Sequence, residues 1–112
     1  MNFLCRVEEV PEGQGREFRL EWEGRPRYIA VFNRAAGFRA FVNACPHQGR
    51  SLNWAPDEFL FTDEGRLVCA HHGACFDLDT GACVSGPCPG ASLTPVELVE
   101  KDGALYGQIP EL

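Results

Sequence analysis

Two short boxes of the sequence contain side chains that could together bind a metal. The first is Cys45-Pro46-His47-Gln48-Gly49 and the second is Cys69-Ala70-His71-His72-Gly73. Each box pairs a thiolate with an imidazole, and both groups are common ligands of zinc and iron in proteins. The Gly and Pro residues suit tight loops whose tips can approach one point. The two boxes therefore offer two Cys and two His ligands to one centre.

This ligand set admits two chemistries. Tetrahedral Zn²⁺ accepts Cys2His2, and a Rieske centre replaces two of the four cysteines of a [2Fe–2S] cluster by histidines on one iron. Zinc fingers usually present like ligands within a box, as C-x2–4-C and H-x3–5-H. Here each box is mixed, as C-x-H and C-x-x-H, and is followed by glycine. The pattern favours iron and leaves a zinc site as the alternative.

The two boxes resemble the Rieske iron–sulfur family, whose pattern is C-x-H, a spacer, then C-x-x-H-G. The resemblance covers essentially the whole chain and implies one [2Fe–2S] cluster per chain. It implies that Cys45 and Cys69 hold one iron and that His47 and His72 hold the other. The spacer of 21 residues between His47 and Cys69 is a few residues longer than we expect in small ferredoxins of this family. We place the extra length around residues 53–63, where it would change the local surface more than the ligation.

The remaining His and Cys residues need a separate interpretation. The C-x-x-H spacing selects His72 as a ligand, so we interpret His71 as a packing or partner-facing residue. The other thiols have no partner at ligand spacing, and free Cys is often a small buried hydrophobe. We predict that role for Cys5, Cys75, Cys83 and Cys88. Cys88 is the exception to test, because the resemblance puts it in a loop that covers the cluster.

The residues around the second box bear on the reduction potential. Relatives in the respiratory cytochrome bc complexes carry a disulfide between the two loops, at positions that are His71 and Arg50 here. They also place a Ser and a Tyr, which donate hydrogen bonds to the cluster sulfurs, where this chain has Ala74 and Phe76. Such donors stabilise the reduced cluster. We therefore expect a potential near the lower end of the Rieske range of about −150 to +300 mV.

The elements that must position the boxes are short strands. Alternation of apolar and charged residues predicts a strand over residues 17–23, with Phe18, Leu20 and Trp22 facing the core. The β-branched and aromatic run 28–32 predicts a central strand buried on both faces. Further strands are predicted at residues 3–10 (an edge strand), 38–43, 59–61, 66–68 and 74–78, with a hairpin of residues 96–100 and 104–109 closing the larger sheet. Each box thus follows a strand end.

Many short strands with turn residues between them, and no long amphipathic helix, predict an all-β sandwich or barrel. At 112 residues the chain has the length of one domain. The resemblance implies an antiparallel β base formed by residues 1–43 and 91–112, with a cluster-binding subdomain inserted at about 44–90. In that family, the Pro-containing segment 85–90 covers the cluster.

Composition and charge limit the classes of partner and location. The net charge of −6 disfavours nucleic acid and anionic membranes and suits a basic protein partner. The six cysteines would suggest disulfides in an exported protein, but the sequence shows neither an export signal nor an apolar run long enough to span a membrane. We therefore expect a cytoplasmic protein.

These observations predict an electron carrier and not an enzyme. The sequence has no glycine-rich dinucleotide fingerprint, no phosphate loop and no credible pair of nucleophile and base. The resemblance implies a ferredoxin that passes one electron from a reductase to a terminal oxygenase. Two alternatives stay open: a small cluster-bearing subunit of a larger reductase, such as that of nitrite reductase, and a zinc-stabilised interaction module.

Overall fold

The computed structural model describes residues 2–22, 24–34, 37–44, 52–53, 58–69, 73–86 and 91–108, and of Trp22 it describes the backbone. These residues contain ten strands: β1 (Asn2–Arg6), β2 (Gly15–Trp22), β3 (Arg25–Arg34), β4 (Gly37–Val42), β5 (Leu60–Phe61), β6 (Leu67–Val68), β7 (Cys75–Phe76), β8 (Cys83–Ser85), β9 (Glu97–Lys101) and β10 (Ala104–Gln108). A short 3-10 turn, Val7–Glu9, follows β1, and no α-helix occurs in the described ranges. The prediction of an all-β fold is confirmed.

The strands form three antiparallel sheets. Their strand orders are β1-β10-β9, β2-β3-β4 and β5-β6-β7-β8. The hairpin of β9 and β10 turns at Asp102 and Gly103, whose φ angles of 53° and 76° are both positive. Two positive φ angles are what a type I′ turn requires, and Asp-Gly supplies them at low cost. This hairpin was predicted from that dipeptide.

Strand β3 separates two apolar cores. Because successive side chains point to opposite faces of a strand, Ala30 and Phe32 enter one core while Ile29 and Val31 enter the other, and all four are fully buried. The loop-side core contains Ala30, Phe32, Phe41, Leu52, Leu67, Cys69, Ala74, Phe76, Leu78, Cys83 and Leu93. The terminal core contains Leu4, Cys5, Val10, Ile29, Val31, Ala40, Val96 and Leu105. The predicted central strand is therefore confirmed, although Tyr28 at its predicted start is 45% exposed.

An aromatic group joins β3 to the four-stranded sheet. The ring of Phe32 lies 5.1 Å from Phe59, 6.1 Å from Phe61 and 6.4 Å from Phe41, measured between centroids. The rings of Phe59 and Phe61 meet it edge-on, the arrangement that the ring quadrupoles favour. Strand β5, which pairs with β6, is thus held against the central strand.

Two elements differ from the sequence predictions. The strand predicted over residues 3–10 ends at Arg6, because the carboxylate of Glu9 accepts the backbone N–H of Arg6 at 2.7 Å and stabilises a local turn instead. The final hairpin forms a separate three-stranded sheet with β1, with β10 in the middle, since Tyr106 lies opposite both Phe3 and Val99. The start of the predicted hairpin still joins the sheet of β2, β3 and β4, because the backbone N–H of Val96 donates to the carbonyl of Ala40 at 2.9 Å.

Other predictions about the elements stand as follows. Strand β1 is an edge strand as predicted, and Phe18 and Leu20 pack against the terminal core while remaining partly exposed. The prediction that the Trp22 side chain faces the core concerns a side chain outside the described part of the structure. No helix in the described part of the chain is long and apolar enough to cross a bilayer.

Candidate metal centre

Of the four predicted ligands, the structure describes Cys69. Cys45, His47 and His72 lie outside the described residues, as does His71. Among the residues that are described, no group of three or more metal-ligating side chains occurs. The geometry of the site is therefore given by Cys69 and by the segments that enter and leave the two boxes.

Cys69 and Gly73, the first and last residues of the second box, continue the hairpin of β6 and β7. The backbone N–H of Cys69 donates to the carbonyl of Ala74 at 2.7 Å, and the N–H of Gly73 donates to the carbonyl of Cys69 at 2.9 Å. Gly73 has a φ of +74°, a conformation that favours glycine and lets the chain reverse here. The glycine after the second box was thus a correct signal of a tight loop.

The side chain of Cys69 points into the loop-side core, where it is 1% exposed. Residues directly opposite each other in an antiparallel hairpin place their side chains on the same face. Ala74 is therefore beside Cys69, and both belong to the same core with Leu67 and Phe76. A thiolate in this dry apolar setting fits a cluster, since such a shell limits solvent access and lowers the local dielectric.

The first box is entered from β4 and left through Leu52. Asn43, directly after β4, is buried and donates its backbone N–H to the carbonyl of Tyr28 at 2.8 Å. Its side-chain Oδ1 accepts the backbone N–H of Leu52 at 2.8 Å. Its Nδ2 donates to Oδ1 of Asn53 at 3.0 Å and to Oε2 of Glu17 on β2. The chain before the first box and the chain after it therefore meet at one amide.

Asn43 was not among the functional residues predicted from the sequence. One signal was available in the sequence. Residues 41 and 43 share a strand face, so the strand period places the amide of Asn43 on the same inward face as Phe41, two residues before a predicted ligand. Its partners Glu17 and Leu52 are distant in sequence, so no local pattern could reveal them.

A third segment approaches the second box at Gly86. A Cβ on this residue would lie 2.6 Å from the Cα of Ala74 and 3.2 Å from the carbonyl oxygen of Gly73, and its φ is +97°. The chain that leaves β8 therefore packs against the backbone of the second box. The predicted covering segment begins here, while its residues 87–90, including Cys88, lie outside the description.

The other described thiols are not in disulfides. Cys5 is fully enclosed in the terminal core, where burial, assisted by the carboxylate of Glu9, raises the pKa of its thiol to about 11. Cys83 is buried and its Sγ lies 3.3 Å from the carbonyl oxygen of Ser85. The interpretation as buried small hydrophobes is confirmed for Cys5 and Cys83, and it is wrong for Cys75, which is partly exposed.

Comparison with known proteins decides the family. The model of the Rieske [2Fe-2S] domain matches residues 1–103. The chain belongs to the Rieske [2Fe–2S] family. It therefore carries the cofactor of that family, one [2Fe–2S] cluster per chain, and the zinc alternative is not favoured.

Similar Rieske proteins differ in length. The ferredoxin subunit of 3-phenylpropionate/cinnamic acid dioxygenase from Photorhabdus laumondii is 30% identical over 109 residues, which cover 97% of this chain and 94% of that protein. The apoptosis-inducing factor 3 proteins of mouse and human are 35% identical over 78 residues, which cover 70% of this chain and 11% of theirs. The chain thus matches about a tenth of those two relatives.

Among solved structures, this Rieske fold is similar to a chain in the complex of reduced oxygenase and oxidized ferredoxin in carbazole 1,9a-dioxygenase. The TM-score is 0.73 at 26% identity, and the match covers 95% of this chain and 99% of that chain. The similarity extends over all three sheets described above.

Proposed function

We propose that this protein is a one-electron carrier that accepts an electron from a reductase and passes it to a terminal oxygenase. The observation that carries the proposal is the similarity, over nearly the full length of both chains, to the ferredoxin subunit of a dioxygenase. A carrier of this kind does no bond chemistry itself, and it acts as the ferredoxin component of a larger oxidoreductase system. Its partners are then two proteins, with no role for nucleic acid or membrane.

The proposed ligands are Cys45 and Cys69 on one iron and His47 and His72 on the other. When bound, the cluster supplies a site that gains and loses one electron. Support for Cys69 comes from its buried position on the hairpin of β6 and β7. The apolar core around Cys69 would keep water from the cysteine side, so we propose that electrons leave toward the partner through the imidazole side.

The division into a β base (residues 1–43 and 91–112) and a cluster-binding subdomain (about 44–90) is part of this proposal. It is supported by the separate sheet of β5 to β8, which lies within the second range. A cytoplasmic location is also proposed. It is supported by the free thiols of the described cysteines, and cell fractionation with an antibody would test it.

The carrier function can be tested with the purified protein. We expect a coloured protein with two irons per chain, and a reduced form that is reoxidised rapidly by an oxygenase whose own centres are oxidised. Stopped-flow absorbance measures that reaction. A colourless preparation with stoichiometric zinc would establish the interaction module instead, and obligatory copurification with a larger reductase would establish the subunit.

The choice between the two adjacent histidines has a matched pair of variants. His72→Ala should abolish the cluster, because the C-x-x-H spacing makes His72 the ligand, while His71→Ala should leave the visible spectrum largely intact. Iron content and the spectrum of both variants provide the measurement. Retained colour in His72→Ala together with lost colour in His71→Ala would reverse the assignment.

A further inference from the structure

The buried amide of Asn43 has three side-chain hydrogen bonds, which reach two other parts of the chain: Glu17 on β2, and the adjacent residues Leu52 and Asn53. Both N–H groups of its Nδ2 donate, one to Asn53 and one to Glu17 on β2, and Oδ1 accepts from the backbone of Leu52. Asn43 is 7% exposed and Asn53 is 8% exposed. A buried amide whose donors are both used is held in one orientation, since any rotation would leave polar groups unpaired.

These bonds close the segment 44–51 at its base. Asn43 precedes the segment and Leu52 follows it, and the side chain of Leu52 is fully buried in the loop-side core. The backbone N–H of Asn43 is also bound to the carbonyl of Tyr28 on β3. Both ends of the segment are thus attached to the central sheet, one through the backbone and the other through an amide and a buried leucine.

We propose that Asn43 is a positioning residue for the first ligand loop, because it fixes the two points at which that loop starts and ends, residue 43 and residues 52–53. This inference rests on the proposed ligand set. Asn43 would act on the metal only through the loop. Its contact with the Glu17 carboxylate strengthens the attachment, because hydrogen bonds to a charged acceptor are stronger than neutral ones.

Asparagine is the residue type that this junction requires. The backbone N–H of Leu52 needs an acceptor, while the oxygens of Glu17 and Asn53 need donors. Among side chains, only a carboxamide offers two N–H donors and an acceptor in one planar group. Alanine would remove all three bonds, and aspartate would keep the acceptor but place a carboxylate against that of Glu17.

Asn33 provides a matched control. It is also an asparagine at the end region of a sheet strand, and its Nδ2 donates to the carbonyl of Val10 at 2.8 Å. Val10 belongs to the terminal core, on the opposite face of β3 from Cys69. Asn33→Ala therefore removes a partly buried amide and its hydrogen bond to Val10 without touching either box.

The first experiment compares metal retention and the electron paramagnetic resonance spectrum of the reduced holoprotein. Asn43→Ala should lose its metal to a chelator about tenfold faster than wild type, the factor expected when buried bonds at a charged group are lost. Its g values should shift or broaden, because the loop then samples several geometries. Asn33→Ala should keep wild-type g values and retention. Wild-type retention and spectrum in Asn43→Ala would overturn the proposal.

A second pair of variants exchanges the donor and acceptor roles of residues 43 and 17. It separates positioning from general stability, and it can be used if Asn43→Ala does not fold. Asn43→Asp should accelerate metal loss, because two carboxylates then face each other. Adding Glu17→Gln restores the bond between residues 17 and 43 in the opposite direction, because the glutamine amide then donates to the aspartate at position 43. The amide of Asn53 can rotate so that it also donates to that aspartate. The double variant should regain much of the lost retention and the wild-type g values. No recovery in the double variant, with Glu17→Gln alone behaving as wild type, would also overturn the proposal.

These tests distinguish failure of the inference from failure of the proposed function. Metal retention can be compared whichever metal the wild-type protein holds. A wild-type protein that contains zinc would refute the carrier function and leave the comparison of Asn43 with Asn33 valid.

Discussion

Ala74 shows how one side chain can set the potential of the centre. It lies opposite Cys69 in the hairpin, its carbonyl accepts the Cys69 N–H at 2.7 Å, and its side chain is fully buried in the same core. Phe76, two residues on, is equally buried there. Neither side chain can donate a hydrogen bond to a sulfur, and this is the basis on which the sequence predicts a low potential.

Ala74→Ser should raise the midpoint potential. A hydroxyl beside the Cys69 thiolate would stabilise the reduced state by about 0.5–1.5 kcal/mol more than the oxidised state. At about 59 mV per 1.4 kcal/mol for one electron, this is a rise of roughly 20–60 mV. Protein-film voltammetry measures this rise in the midpoint potential.

The control is Ala40→Ser, at a buried alanine of the terminal core, which should leave the potential unchanged. An unchanged or lowered potential in Ala74→Ser would contradict this account, and a wild-type midpoint well above +100 mV would contradict the expectation of a low-potential protein.

At the level of elements, the centre depends on how three segments meet. The hairpin of β6 and β7 carries Cys69, the end of β4 leads into the first box, and the chain after β8 packs against the second box at Gly86. The aromatic contacts of Phe32 hold residues that flank this hairpin on the central sheet. The described residues that enter and leave the two boxes are therefore supported by contacts between elements.

Gly86→Ala tests the packing of the third segment. It should speed metal loss and lower stability, because its Cβ would lie 2.6 Å from the Cα of Ala74 and force the backbone apart. Gly13→Ala is a matched control: its φ of +79° is similarly positive, but no atom lies within 4 Å of its Cβ position. It should cost only the backbone strain of about 1–2 kcal/mol. Chelation kinetics and thermal unfolding measure both. Equal effects of the two substitutions would mean that contact with the second box is unimportant.

Across the whole molecule, negative charge prevails. The net charge is −6, and the exposed ion pairs Arg6–Glu8 and Arg19–Glu21 are separated by 3.1 and 2.9 Å. Exposed pairs of this kind add little to stability, because water screens them. We interpret the charge as a feature of association with partners more than of folding.

Electron transfer to a protein partner should therefore depend on ionic strength. Charge steers association over roughly a Debye length of 8–10 Å at physiological salt, so a basic partner should react more slowly as salt is added. Second-order rates from stopped-flow measurements at low and high salt test this. Reduction by a small uncharged mediator should stay constant in the same series. Protein-partner rates that do not change with salt would exclude steering.

Much of this protein could be predicted from local pattern. Ligand type and spacing specify the chemistry of the two boxes, since a metal selects its donors by element and reach. Alternating residues marked β2 and the burial of β3, and Asp102-Gly103 marked the last hairpin, because strand period and turn conformation depend on neighbours in the chain.

Contacts between distant segments had to come from the folded chain. The insertion of β10 between β1 and β9, the meeting of Asn43 with Glu17 and Leu52, and the approach of Gly86 to Ala74 join residues that share no local signal. Each depends on which apolar faces become buried together and on which buried polar groups then need partners. The sequence therefore names the metal chemistry, and packing between elements places the segments that enter and leave the two boxes.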